Sequence, residues 1–246
     1  GQGPLTAENG FASQADVLIE TRRAADLLNA TRMDRPEDVQ PNHRTNKVYI
    51  ALTNNAARKA DGLDPANDRA GNHWGQIVEL IPPDGDHAAS TFRWEMLVRC
   101  GPPDDPAAKA SWNAATSANG WFACPDNMAV DSQGRLWVAT DQGSGWSRIS
   151  GTADGIWALE TDGPLRGTGR MFFRTPVGAE MCGPCFTPDD RTLFVAVQHP
   201  GVDGVRDYKP FGKASTFEEP GTRWPDFKPD MPMRPAVIAI TKEDGG

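Results

Sequence analysis

The sequence predicts an all-β fold, a β-propeller fragment of about two and two-thirds four-stranded blades with one N-terminal helix. Three observations predict it. A unit of short strand, polar turn and stronger strand recurs at Arg35 to Thr53, Cys124 to Thr140 and Cys182 to Val197. Two of these units are followed by two further strand-like runs, and four strands make one propeller blade. Gly 25 and Pro 21 supply the turns that such short strands need.

Taken in order, Ala15 to Leu28 carries apolar residues at helical spacing (Val17, Leu18, Ala24, Ala25, Leu28) and reads as one helix leading into the first blade. The stronger strands Val48 to Leu52, Leu136 to Thr140 and Leu193 to Val197 share an aliphatic-aromatic-aliphatic-Ala pattern suited to a buried sheet. The first blade continues with a strand after Gly75 and another from Thr91, and the second with strands from Gly155 and Gly169. The third offers one more strand, Ala236 to Thr241. Propellers close with roughly four to eight blades, because each buries its faces only against its neighbours. The expectation is therefore a chain that begins inside a longer protein, with a last blade completed by a strand from elsewhere. Trp146 and the stretch from Val202 to Met233 fall in long Pro- and Gly-rich loops, a length that is usually functional or disordered.

The net charge of -8 excludes a phosphate-backbone binder, which needs a basic surface. No run of 18 or more apolar residues exists to span a membrane. Gly1 to Leu5 lacks the charged-then-apolar layout of a signal peptide, and the compartment cannot be read from it. Cys100, Cys124, Cys182 and Cys185 are too few to frame this length with disulfides. The Cys182-Gly-Pro-Cys185 spacing invites a redox reading, but it runs into turn chemistry at Thr187 to Thr192 rather than opening a helix. Two partly buried small residues, or a strained disulfide, are the plainer readings.

Residues just before and at the start of each innermost strand collect at one mouth of a propeller. Glu37 and Asp126 each follow a proline there, and Glu180 lies just before the third blade. Carboxylates gathered from separate blades repel unless cations neutralise them, which suggests hard or borderline metals. Capping of turns is the rival reading. Arg35 stands two residues before Glu37, a spacing that puts both on one face of an extended segment. Such a guanidinium could grip a phosphate by two parallel hydrogen bonds, or simply pair with the carboxylate.

The segments Met33 to Asp38, Val48 to Asn55, Phe186 to Asp189 and Phe194 to Gly201 resemble the PhoX-type alkaline phosphatases, from about Leu5 to the end. The joined Arg-Pro-Glu and Thr-Asn-Asn motifs carry the resemblance. Members of that family are exported bacterial phosphomonoesterases with a propeller fold and a cluster of iron and calcium ions at the channel mouth. The resemblance implies that Arg35 contacts phosphate, that Glu37 and Asp126 bind metal, and that Glu180 matches a recurring glutamate. It also implies a periplasmic or extracellular protein, a small-molecule phosphate monoester as substrate, and the N-terminal half of the same propeller as partner. On this reading residues 1–34 are a helical lead-in and residues 35–246 the C-terminal blades. The family's cysteine ligand to iron and several acidic ligands belong to the N-terminal half, so the complete cluster is not expected from these residues. His199 could be a leaving-group contact or a residue that orders its loop.

Two other readings remain open. Calcium-dependent propeller lactonases and phosphotriesterases also gather acidic and amide side chains around a metal, and a propeller can lose catalysis and serve as a binding scaffold.

Overall fold

A computed structural model describes residues 3–243. The residues up to Met33 form one compact unit and those from Asp34 onward a second. In the first, the helical stretch is broken into α1 (Gln14–Ile19) and α2 (Thr21–Leu27). Ser13 opens α1 with a capping box to Asp16, whose carboxylate accepts back from Ser13. Glu20 at φ -99 and ψ 38 leaves helical geometry. The apolar spacing across positions 15–28 therefore persists while the backbone kinks.

The second unit is built from three antiparallel sheets. The first orders β1 (Pro36–Asn42), β2 (Lys47–Leu52), β3 (Gln76–Ile81) and β4 (Arg93–Arg99) side by side. The second does the same with β5 (Pro125–Val130), β6 (Leu136–Thr140), β7 (Gly155–Leu159) and β8 (Gly169–Arg174). The third orders β11 (Ala236–Thr241), β10 (Thr192–Gln198) and β9 (Glu180–Phe186). Glu180 thus opens the innermost strand of its blade rather than preceding it.

Strand periodicity explains how the blades stack. All five residues of β6 are buried, because its two faces meet different neighbours. Leu136 and Val138 pack with Tyr49, Ile77, Val98 and Trp157 in a core between the first and second blades. Trp137 and Ala139 pack with Met181, Leu193, Val195 and Val197 in a core between the second and third. The centre of the first core is aromatic, with Phe122 and Trp157 rings 5.7 Å apart. Glu79 is fully buried at that seam, where Lys47 Nζ, at 3.1 Å, and Arg166 Nη2, at 3.2 Å, both donate to its Oε1.

The inner strands are stitched to one another by polar bonds. Asp38 Oδ2 accepts the Met128 N–H at 2.6 Å, and Asn127 Oδ1 accepts the Gly183 N–H at 2.9 Å. Asn42 Nδ2 donates to the Gly134 carbonyl at 2.8 Å. Gly75, at φ 78, lets β3 begin against the Leu52 and Thr53 carbonyls and the Pro125 ring, where a side chain would collide. Among the described residues no helix is long and apolar enough to cross a membrane. All four cysteines are free, and Cys182 and Cys185 lie within β9 rather than at a helix start, so neither the disulfide nor the thioredoxin-like context is present.

Candidate active site

In an antiparallel pair, the start of one strand lies beside the end of the next. The site follows from that rule applied three times. The Thr53 N–H reaches the Arg35 carbonyl, the Asp141 N–H reaches the Cys124 carbonyl, and Gln198 pairs with Glu180. Arg35, Cys124 and Glu180 therefore hold matching places at one end of the three blades, with the residues after β2, β6 and β10 beside them. Arg35 (φ 49) and Cys124 (φ 53) both adopt the left-handed conformation. That costs side-chain-bearing residues about 1–3 kcal/mol and tends to mark functional positions.

Arg35 meets Glu37, with Nη2 donating to Oε1 at 3.2 Å. The reason differs from plain strand alternation: Arg35 is not extended, and β1 carries a register irregularity between Pro36 and Asp38. The second Arg35 nitrogen, Nη1, donates to Asn54 Oδ1 at 3.1 Å. Asn54 Nδ2 then donates to Cys124 Sγ at 3.4 Å, and the thiol donates to the His73 carbonyl at 3.3 Å. A continuous chain thus fixes the guanidinium, which is still 57% exposed and open to a ligand. Burial pushes the Cys124 thiol up to about 12, so it acts as a neutral donor.

Asp126 is nearly buried, and among the described residues its side-chain hydrogen-bond partner is Asn127 Nδ2, at 3.2 Å. Burial first, then the charges of Glu180, Glu37, Asp141 and Asp38, push its carboxyl up to about 7. Asp141 is raised as well, by burial and then by Glu180. Asp126, in the second blade, therefore feels the charges of Glu37 in the first and Glu180 in the third. Glu180 is bound from three sides: Cys182 Sγ at 3.0 Å, Gln198 Nε2 at 2.8 Å and His199 Nε2 at 3.1 Å. Burial opposes charge on His199, but the bond to Glu180 and the charges of Asp203 and Glu180 outweigh it and raise its pKa. His199 links Glu180 to the Asp203 loop, with Nδ1 3.7 Å from Asp203 Oδ2.

Among the described residues, no three His, Cys, Asp or Glu side chains form a ready-made cation cage. The donor chemistry nevertheless fits hard cations: oxygen ligands from separate blades, one of them close to neutralising itself by taking up a proton.

The sequence singles out Arg35, Glu37, Asp126, Glu180 and His199 but gives no place at the mouth to Asp38, Asn54, Asp141 or Cys182. For Asn54 and Asp141 a signal existed, since each stands just after a second strand that must return to the mouth where the first began.

A sequence model of the family described as alkaline phosphatase PhoX matches residues 2–201. The chain is similar to the solved structure of Pseudomonas fluorescens PhoX in complex with vanadate, a transition state analogue. The TM-score is 0.79 and the identity 36%, over 98% of this chain and 39% of that one. The chain thus spans about two-fifths of the length of that protein. Weaker similarities reach an endo-1,5-alpha-L-arabinanase from Thermotoga petrophila, at TM-score 0.34 and 14% identity over 76% of this chain and 38% of that one. A gluconolactonase from Xanthomonas campestris follows, at TM-score 0.32 and 14% identity over 70% and 57%. No curated protein matches the chain.

Proposed function

The chain belongs to the PhoX family of alkaline phosphatases, and on that premise we propose that the protein hydrolyses phosphate monoesters, with Arg35 gripping the phosphoryl group and Glu37, Asp126 and Glu180 holding calcium and iron. The observation that carries this reading is the charge imbalance at the mouth. One exposed guanidinium pairs with Glu37, while the charges of Glu180, Glu37, Asp141 and Asp38 act on the largely buried Asp126 and drive it toward its protonated form. A phosphate dianion would be repelled from such a place unless cations offset the carboxylates. Cations held by Glu37, Asp126 and Glu180 would supply Lewis-acid chemistry at the phosphoryl oxygens and would favour an ionised oxygen nucleophile.

The protein's own residues have separate duties. Asn54 and Glu37 hold the exposed Arg35 fork from two sides, so that it would meet a phosphoryl group with little reorganisation. Charge that develops on the transferring phosphoryl oxygens is met by that fork. Asp38 and Asn127 tie the three inner strands together and so fix the spacing of Glu37, Asp126 and Glu180. Cys182, Gln198 and His199 orient Glu180. Residues 35–246 would form the C-terminal blades, with the N-terminal half of the same propeller supplying the remaining ligands, in a periplasmic or extracellular protein.

The test separates chemistry from a salt bridge. In the whole protein, Arg35→Ala should retain metal, be less inhibited by inorganic phosphate, and lose on the order of 10²-fold or more in kcat/KM on a phosphate monoester. Glu37→Ala should lose metal together with activity. Unchanged kcat/KM in Arg35→Ala, with only a lower melting temperature, would make the pair structural and move the site elsewhere.

A further inference from the structure

Arg35 is preceded in the chain by a carboxylate with no exposed surface, Asp34. That carboxylate accepts from Arg58 Nε and, at 3.1 Å, from Asn72 Nδ2, while the Asp34 N–H donates to Asn67 Oδ1 at 2.8 Å. The Arg58 side chain is itself only 8% exposed. Desolvating two such charges offsets most of their attraction, so the pair adds little net stability over an apolar contact.

All three partners stand in the loop between β2 and β3, which also carries Asn54. Asn72 is the hub of that loop. Its Oδ1 accepts the Trp74 and Gly75 N–H groups at 3.1 and 3.0 Å, and its carbonyl accepts the Asn55 N–H at 2.7 Å. The Trp74 carbonyl in turn accepts the Cys124 N–H at 2.7 Å. Asp34 thus joins the Arg35 backbone to the loop whose Asn54 holds the guanidinium, and through Trp74 to Cys124, the next partner of Asn54. On its other side the Arg35 carbonyl accepts the Thr53 N–H at 3.1 Å. A left-handed arginine persists only where its surroundings over-determine it, and here it is fixed from both sides.

We propose that Asp34 is a positioning residue for phosphate binding: its buried carboxylate locks the left-handed Arg35 backbone against the Asn54 loop and so sets where the guanidinium meets the phosphoryl group. The assignment rests on the phosphomonoesterase reading and adds to it a residue that acts only through Arg35. Asp34→Asn keeps the shape and removes the charge that Arg58 meets. In the metal-loaded whole protein it should lower kcat/KM on a phosphate monoester by about 10- to 100-fold, the range for a misplaced contact group. Binding of inorganic phosphate, measured by calorimetry, should weaken with it, while calcium and iron content stays at the parent level. The decisive readout is the combination with Arg35→Ala. Once the guanidinium is gone, Asp34→Asn should change kcat/KM and phosphate affinity by less than about twofold, because residues acting through one contact do not add. Arg58→Lys keeps a buried cation and decides the matter if Asp34→Asn does not fold: it should lose about 3- to 10-fold alone and almost nothing beside Arg35→Ala. Losses as large beside Arg35→Ala as alone, or a lower melting temperature with unchanged kinetics, would make Asp34 a scaffold residue and overturn the assignment while the phosphatase reading stands. If the metal-loaded parent hydrolyses no phosphate monoester, that reading falls and the assignment with it.

Discussion

At the scale of single residues, the second blade carries a carboxyl whose titration can be followed apart from the site's proposed ligands. Asp154 is buried, accepts from Thr140 Oγ1 at 2.7 Å and Gln142 Nε2 at 3.0 Å, and is pushed up to about 7 chiefly by burial. Its unfolded value lies near ~3.9. The folded protein therefore binds this proton more tightly, and the stability it contributes is full below about pH 4 and lost as pH rises to about 7. Asp154→Asn removes that loss, so the variant should gain on the parent by up to ~4 kcal/mol across the window. Thermal melts from about pH 4 to about pH 8 would show it, and a difference that does not change with pH would contradict the burial argument. What the sequence disclosed at this scale was residue type rather than company. Arg35 and Glu37 could be placed together by spacing, but the chain through Asn54 to Cys124 depends on two separate blades meeting. No local pattern encodes that contact.

Elements were more legible, and for a physical reason. Leu136 to Thr140 reads as a short continuous apolar run, and β6 is buried on both faces with those same bounds. Ala236 to Thr241 also reads as a strand and is β11, although Val237 is 73% exposed. The break at Glu20 was hidden because apolar spacing continues through it. Packing at the seam also sets what β7 contributes to stability. Trp157 is fully buried at the seam of the first two blades, so Trp157→Ala should cost about 3–5 kcal/mol. Chemical denaturation measures this, and a loss below ~1 kcal/mol would mean that the seam is not where the blades are held.

For the whole molecule, the sheet stack explains how carboxylates far apart in sequence come to act on one another. Glu37, Asp126 and Glu180 lie on three inner strands joined by the Asp38 and Asn127 bonds, so the blades present them at one mouth at fixed spacing. Three sheets are fewer than a closed ring requires, and the chain spans 39% of the Pseudomonas protein. On the proposed reading, the carboxylates at the mouth of the whole protein need cations before a phosphate can bind. Elemental analysis of the purified whole protein, run beside phosphate release from a monoester before and after chelation, tests it most directly. Bound calcium and iron are expected, with activity lost to the chelator and part of it restored by calcium, which exchanges more readily from carboxylate oxygens than ferric iron does. Full activity in a preparation free of both metals would contradict it.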